Sequence, residues 1–88
     1  MNPEDPDKTL SEVLAAIGNK IRKERVSKGY TLEEMDALCD IDPSDFSRIE
    51  NGKSNLTFKT LVRIAMALNL ESIDVFGIRF SLKNDSGD

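Results

Sequence analysis

Two helix starts in close succession constrain this chain more than anything else in it. Thr31-x-x-Glu34 has the form of a capping box, in which a hydroxyl and a carboxylate each take an amide that the first turn of a helix leaves free. Asp42 then precedes Pro43, and proline suits a first helical turn because no amide donor is needed there. Asn51-Gly52 stops what Asp42 starts. One short helix therefore runs from Thr31 to about Leu38, and a second from Asp42 toward Asn51. Only three residues, Asp40-Ile41-Asp42, join them. Met35 and Leu38 are the expected inward residues of the first helix and Phe46 and Ile49 of the second, with Ile41 inside the corner.

The flanks supply the rest of a small helical core. Thr9-x-x-Glu12 is another capping box, followed by Leu10, Val13, Leu14, Ile17 and Ile21 at helical spacing. This first helix should run to about Lys28, where Gly29 offers the left-handed position that ends a helix. Lys20, Arg22 and Lys23 stay off its apolar stripe. Thr57 caps a fourth helix with Leu61, Ile64, Ala65 and Leu68 on one face, and Ser72 caps a short fifth near Ile73–Phe76. After Gly77 the period changes: Ile78, Phe80 and Leu82 alternate with Arg79, Ser81 and Lys83, a strand signal. Residues 1–8, with two prolines and no apolar period, read as a disordered arm. Residues 9–76 form the folded domain, and residues 77–88 a strand or a flexible tail.

Composition narrows the function classes. Without a single histidine the chain lacks the commonest general base and metal ligand, and the one cysteine, Cys39, permits neither an internal disulfide nor a thiolate zinc site. No catalytic residue, metal site or cofactor is expected. Cys39 reads as a small core residue under the third helix. The N-terminus has no apolar signal-peptide segment, and no apolar run approaches membrane-spanning length. A cytoplasmic location is expected. The net charge of −4 is misleading, because the net negative charge sits at the ends. Residues 18–63 carry nine bases and eight acids. Any polyanion-binding face must arise from where those charges point.

The run from Ile17 to Leu70, above all Arg25 with Thr31, then FSRIENGKSN, then TLVRIAMALNL, resembles the phage repressor/Cro (Xre-like) helix-turn-helix family. That resemblance implies an all-α fold, a compact five-helix lambda-repressor-like bundle, with a short strand or tail at the C-terminus. It also implies double-stranded DNA as the partner, read as an inverted repeat by a homodimer with the third helix in the major groove. Position by position, Pro43, Ser44 and Arg48 match places facing base edges, with Arg48 best suited to take guanine O6 and N7 together, and Ser47 is a further DNA-binding candidate. Asn51, Lys53 and Asn55 match the loop that grips phosphates; Thr31, at a helix N-terminus, can point amides at a phosphate, and Lys59 near the start of the fourth helix is an extra contact. Arg25 and Glu50 match a partly buried ion pair with a structural role.

Three positions depart from the pattern. Leu32 stands where the family has a phosphate-binding glutamine, Asp36 where it prefers alanine, and Asp40 where the turn usually has glycine. Aspartate tolerates the left-handed conformation, so the turn is expected to survive. Asp42 and Asp45 are explained as the cap and first turn of the third helix, whose dipole favours acids. Dimerisation is expected through Ile73, Val75, Phe76, Ile78, Phe80 and Leu82, with the strand pairing across a two-fold axis or folding back onto the first helix. No small-molecule effector is expected in so short a chain. The size and the Asn55-Leu56-Thr57 loop resemble restriction–modification controller proteins; phage-type repressors and antitoxins fit as well. A rival reading from another class is a protein-interaction module, such as an antitoxin or partner-binding domain, that keeps the bundle with weak or no DNA binding.

Overall fold

In the computed structural model, which describes residues 5–83, four helices are followed by a two-stranded hairpin. The helices are α1 (Pro6–Ser27), α2 (Leu32–Cys39), α3 (Pro43–Glu50) and α4 (Phe58–Ala67); the strands are β1 (Ser72–Val75) and β2 (Ile78–Ser81). Residues 1–4 of the expected arm, and 84–88 of the expected tail, lie outside the described residues.

Local chemistry sets each boundary. The Thr31 hydroxyl accepts from the Glu34 amide at 3.0 Å and the Glu34 carboxylate accepts from the Thr31 amide at 2.8 Å, so the capping box at α2 is complete. Asp42 caps α3 and Thr57 caps α4. Three helices close with the same device, in which the residue past the end is left-handed: Gly29, Gly52 and Asn69. The Tyr30, Lys53 and Leu70 amides then reach back to the Arg25, Arg48 and Ala65 carbonyls at 2.8–3.1 Å. Asp40 takes the left-handed conformation between α2 and α3, with φ 58°, as the turn requires.

The core is one cluster of Ile21, Met35, Cys39, Phe46, Ile49, Ile64 and Leu68, with Ile17, Ile41, Leu32 and Leu61 packed around it. Leu38 corrects the expectation for α2: it is exposed, and Cys39, one residue on, takes the inward place. Burial pushes the Cys39 thiol pKa up, and its sulfur donates to the Met35 carbonyl, as suits a core residue.

Helix α1 begins earlier than expected. Asp5 is its cap, accepting from the Asp7 amide at 3.0 Å, and Pro6 is its first residue, so residues 6–8 are helical and Thr9 lies inside the helix. The reason is the Asp-Pro pair, the same start that opens α3. The apolar stripe consequently extends past the core it was meant to cover: Leu10 is 44% and Val13 46% exposed. Only Ile21 of that stripe is fully buried.

The third correction lies after α4. Ser72 opens no fifth helix, and the five-helix count is not met among the described residues. Instead β1 pairs antiparallel with β2, Ile73 opposite Phe80 and Val75 opposite Ile78. The strand expected after Gly77 forms, and within the chain its partner is β1, not α1. Alternation of Ser72, Ile73, Asp74 and Val75, two of them β-branched, already carried a period of two. A two-residue loop, Phe76-Gly77, with φ of 52° and 76°, makes the reversal, the type I′ geometry that suits the twist of paired strands.

Candidate nucleic-acid interface

Helix α3 presents two opposed faces. Phe46, Ile49 and Glu50 are buried, while Ser44, Arg48 and Asn51 are exposed and Ser47 is half-buried beside them. Positions 44, 47, 48 and 51 fall three and four apart, so they form one outward stripe along the helix. The three residues expected at base edges thus divide: Ser44 and Arg48 share the stripe, along with Ser47, whereas Pro43 is half-buried at the start of the helix.

Several of these side chains have intramolecular duties. The Ser44 hydroxyl donates to the Asp42 carboxylate, whose other main partner is the Ser44 amide at 3.0 Å. Those two bonds hold the Asp42 carboxyl below its ordinary pKa, the hydroxyl contributing most. Asn51 donates from its amide to the Ser47 carbonyl at 2.9 Å. Arg48 folds toward the following loop and donates from Nη2 to the Lys53 carbonyl at 3.0 Å. Four of its five N–H donors remain for other acceptors. Lys53, Asn55 and Lys59 are exposed, and Lys59, on the first turn of α4, is tied to none of the others by a hydrogen bond.

What fixes the end of α3 is its junction with α1. Arg25 donates from Nε to one Glu50 oxygen at 2.6 Å and from Nη2 to the other at 3.0 Å. Its Nη1 donates to the Tyr30 carbonyl at 2.8 Å. The two side chains are only 13% and 6% exposed. Hydrogen bonding to Glu50 raises the Arg25 pKa further, against the opposing effect of burial. The expected ion pair is therefore present, and it joins three segments: α1, the turn before α2, and the end of α3.

Sequence reading missed the glycine beside this pair. A Cβ on Gly18 would stand 2.3 Å from the Ile49 carbonyl oxygen and 2.6 Å from that of Glu50. Only hydrogen at that position lets α1 cross the last turn of α3. A glycine in the middle of a helix was the available signal, since it weakens a helix by about 1 kcal/mol unless packing needs it. Gly52, at φ +71°, makes a similar approach to α1: a Cβ there would stand 2.8 Å from the Ala15 Cα.

The surface holds two polar hollows near these groups. One, of about 260 Å³, is lined by Arg22, Arg25, Leu32, Ser47, Glu50 and Asn51. The other, of about 290 Å³, lies between the loop Gly52–Asn55 and the first turns of α1, including Asp7 and Leu14. Leu32, one of the three departures from the resembled pattern, is half-buried and packs against the core. Asp36 is half-buried with no carboxylate bond among the described residues. No helix among the described residues is long and apolar enough to cross a membrane.

Comparison with known proteins agrees with this geometry. A profile described as helix-turn-helix matches residues 21–76. The control protein C.MunI of a Mycoplasma species is 31% identical over 68 residues, spanning 76% of this chain and 92% of that protein. The crystal structure of the restriction–modification controller protein C.AhdI from Aeromonas hydrophila superposes with a TM-score of 0.65 at 28% identity. That match covers 68% of this chain and 91% of the other.

Proposed function

Because the chain belongs to the Xre-like helix-turn-helix family of DNA-binding transcriptional regulators, we propose that it is a sequence-specific regulator of the restriction–modification controller type. It acts in the cytoplasm and binds an inverted-repeat operator as a homodimer. Helix α3 enters the major groove, with Arg48 reading guanine, Ser44 and Pro43 lying near base edges and Ser47 making a further DNA contact. Asn51, Lys53 and Asn55 hold backbone phosphates, with Thr31 and Lys59 at the margins of the footprint.

The observation that carries this reading is the outward stripe of α3. A short helix whose polar face is turned to solvent, held from behind by Arg25–Glu50, fits a surface made to enter a groove. Its acids do not argue against that role, because Asp42 is occupied as a cap and Asp45 lies in the first turn.

Dimerisation rests on the hairpin. Cross-strand partners share a face, so Ile73, Val75, Ile78 and Phe80 form one apolar side, and Ser72, Asp74, Arg79 and Ser81 the polar one. Ile78 and Phe80 are exposed and the hairpin makes only slight contact with the helices. A lone two-stranded hairpin is marginal in water, so its apolar side needs a cover, and a second copy supplies it symmetrically. Phe76 is fully exposed at a left-handed position, a conformation that costs about 1–2 kcal/mol for such a residue. Contact with the partner copy offsets that strain.

The test is selection of bound sequences from a random duplex pool by wild type and by Arg48→Ala. Enrichment of an inverted repeat, lost or relaxed in the variant, supports the reading. Absence of salt-sensitive binding even at low ionic strength would instead leave a helical module that acts through a protein partner.

A further inference from the structure

We infer that Arg22 seats a backbone phosphate of the bound duplex in the cleft between α1, the start of α2 and the end of α3. This rests on the DNA-binding reading above and adds to it a contact from the first helix.

Charge within the cleft points to Arg22. Its lining residues are Arg22, Arg25, Leu32, Ser47, Glu50 and Asn51. Arg25 and Glu50 neutralise each other through two hydrogen bonds. Leu32 is apolar, and Ser47 and Asn51 are uncharged. One uncompensated positive charge remains, and it belongs to Arg22.

Helix geometry explains why nothing answers that charge. Side chains three and four residues apart meet on a helix, and around Arg22 those places hold Asn19, Arg25, Gly18 and Val26, none acidic. The neighbouring cations differ: Lys20 and Lys28 both close on Glu24, at 3.1 and 3.4 Å. Among the described residues no carboxylate lies within ion-pair distance of Arg22. It also makes no hydrogen bond to the carbonyls at the end of α3, the structural role an arginine there could otherwise have.

Position supplies the second part. Ser47 and Asn51 line the cleft and also belong to the outward stripe with Arg48. An anion held there lies on the same side of α3 as the side chain proposed to read the bases. The Ser47 hydroxyl donates to no acceptor among the described residues, so its proton is available as a second donor. A guanidinium presents a planar fork matched to two phosphate oxygens, and being exposed it loses little hydration before the ligand arrives.

The experiment is salt-dependent binding of a labelled selected duplex and a scrambled duplex, by fluorescence anisotropy, for wild type, Arg22→Gln and Arg22→Lys. One phosphate contact contributes about 0.9 to the slope of log affinity against log salt. Arg22→Gln should therefore reduce the slope by about 1 and weaken binding roughly five- to eightfold near 0.1–0.15 M salt. The loss should be the same for both duplexes, with the melting temperature unchanged, and Arg22→Lys should keep the wild-type slope. If wild type binds and Arg22→Gln retains its slope and affinity, the inference fails while the DNA reading stands. Weaker binding with an unchanged slope and a lowered melting temperature would show a structural role and also overturn it. If wild type binds neither duplex at about 50 mM salt, the DNA reading itself falls and takes the inference with it.

Discussion

The end of α3 and the C-terminal hairpin are opposite solutions to holding a short element in place. The last turn of α3 is fixed from several directions at once: two hydrogen bonds from Arg25, the close crossing at Gly18, and the left-handed Gly52 that reverses the chain. The hairpin has its own ladder, an exposed ion pair between Asp74 and Arg79, and little else. An eight-residue helix and a pair of four-residue strands are each too short to persist alone. The first borrows stability from its own chain. Under the proposed reading the second borrows it from another copy.

If that contrast is correct, damage at the α3 junction should unfold the domain, while damage in the hairpin should leave the fold and change the assembly. Glu50→Ala strands the Arg25 charge in a nearly closed site and should lower stability by about 3–5 kcal/mol, measured by urea denaturation. Gly18→Ala drives a methyl into two backbone carbonyls and should cost about 1–3 kcal/mol by the same assay, with α1 pushed off α3. Phe76→Asn suits the left-handed turn position better and should strengthen the isolated hairpin by about 1 kcal/mol, seen as slower amide exchange in β1 and β2. The same change should weaken self-association, which would separate turn strain from partner contact. Phe80→Glu should change the stability of the bundle by less than about 0.5 kcal/mol and abolish the dimer in sedimentation. An unchanged dimer would remove the hairpin face from the interface.

The smallest expected effect is on pH. Asp42 has a folded pKa below its unfolded value, so its contribution is complete above the ordinary carboxylate range and is lost as pH falls through the lowered value. Thermal melts of wild type and Asp42→Asn should therefore differ at neutral pH and converge in strong acid.

Much of this was legible in the residues. The capping box at Thr31 and the Asp42-Pro43 start depend on local chemistry, whereas the Arg25–Glu50 pair and the turn at Asp40 were legible only through the family resemblance. The same Asp-Pro signal at residues 5–6 was outweighed by the absence of apolar residues around it. It shows that a cap and a proline can start a helix before there is any core for it to cover. Ser72 misled for a related reason. A four-residue segment satisfies a helix start and a strand alternation equally well, and the Phe76-Gly77 loop decides between them only once both strands are in place. Gly18 was hidden because its importance lies in what crosses it, which a single helix does not reveal. The rotamer of Arg48 was also beyond reach, because it depends on the Lys53 carbonyl, which comes within range only when α3 has ended and turned.

The bond from Arg48 to the Lys53 carbonyl alters what discrimination would mean for this protein. A guanidinium already docked on its own loop must leave that carbonyl in order to turn toward a base edge. Each candidate base pair would then compete against an internal standard that travels with the reader. Only a base edge offering more than that carbonyl would draw the side chain out, and an indifferent sequence would leave it parked.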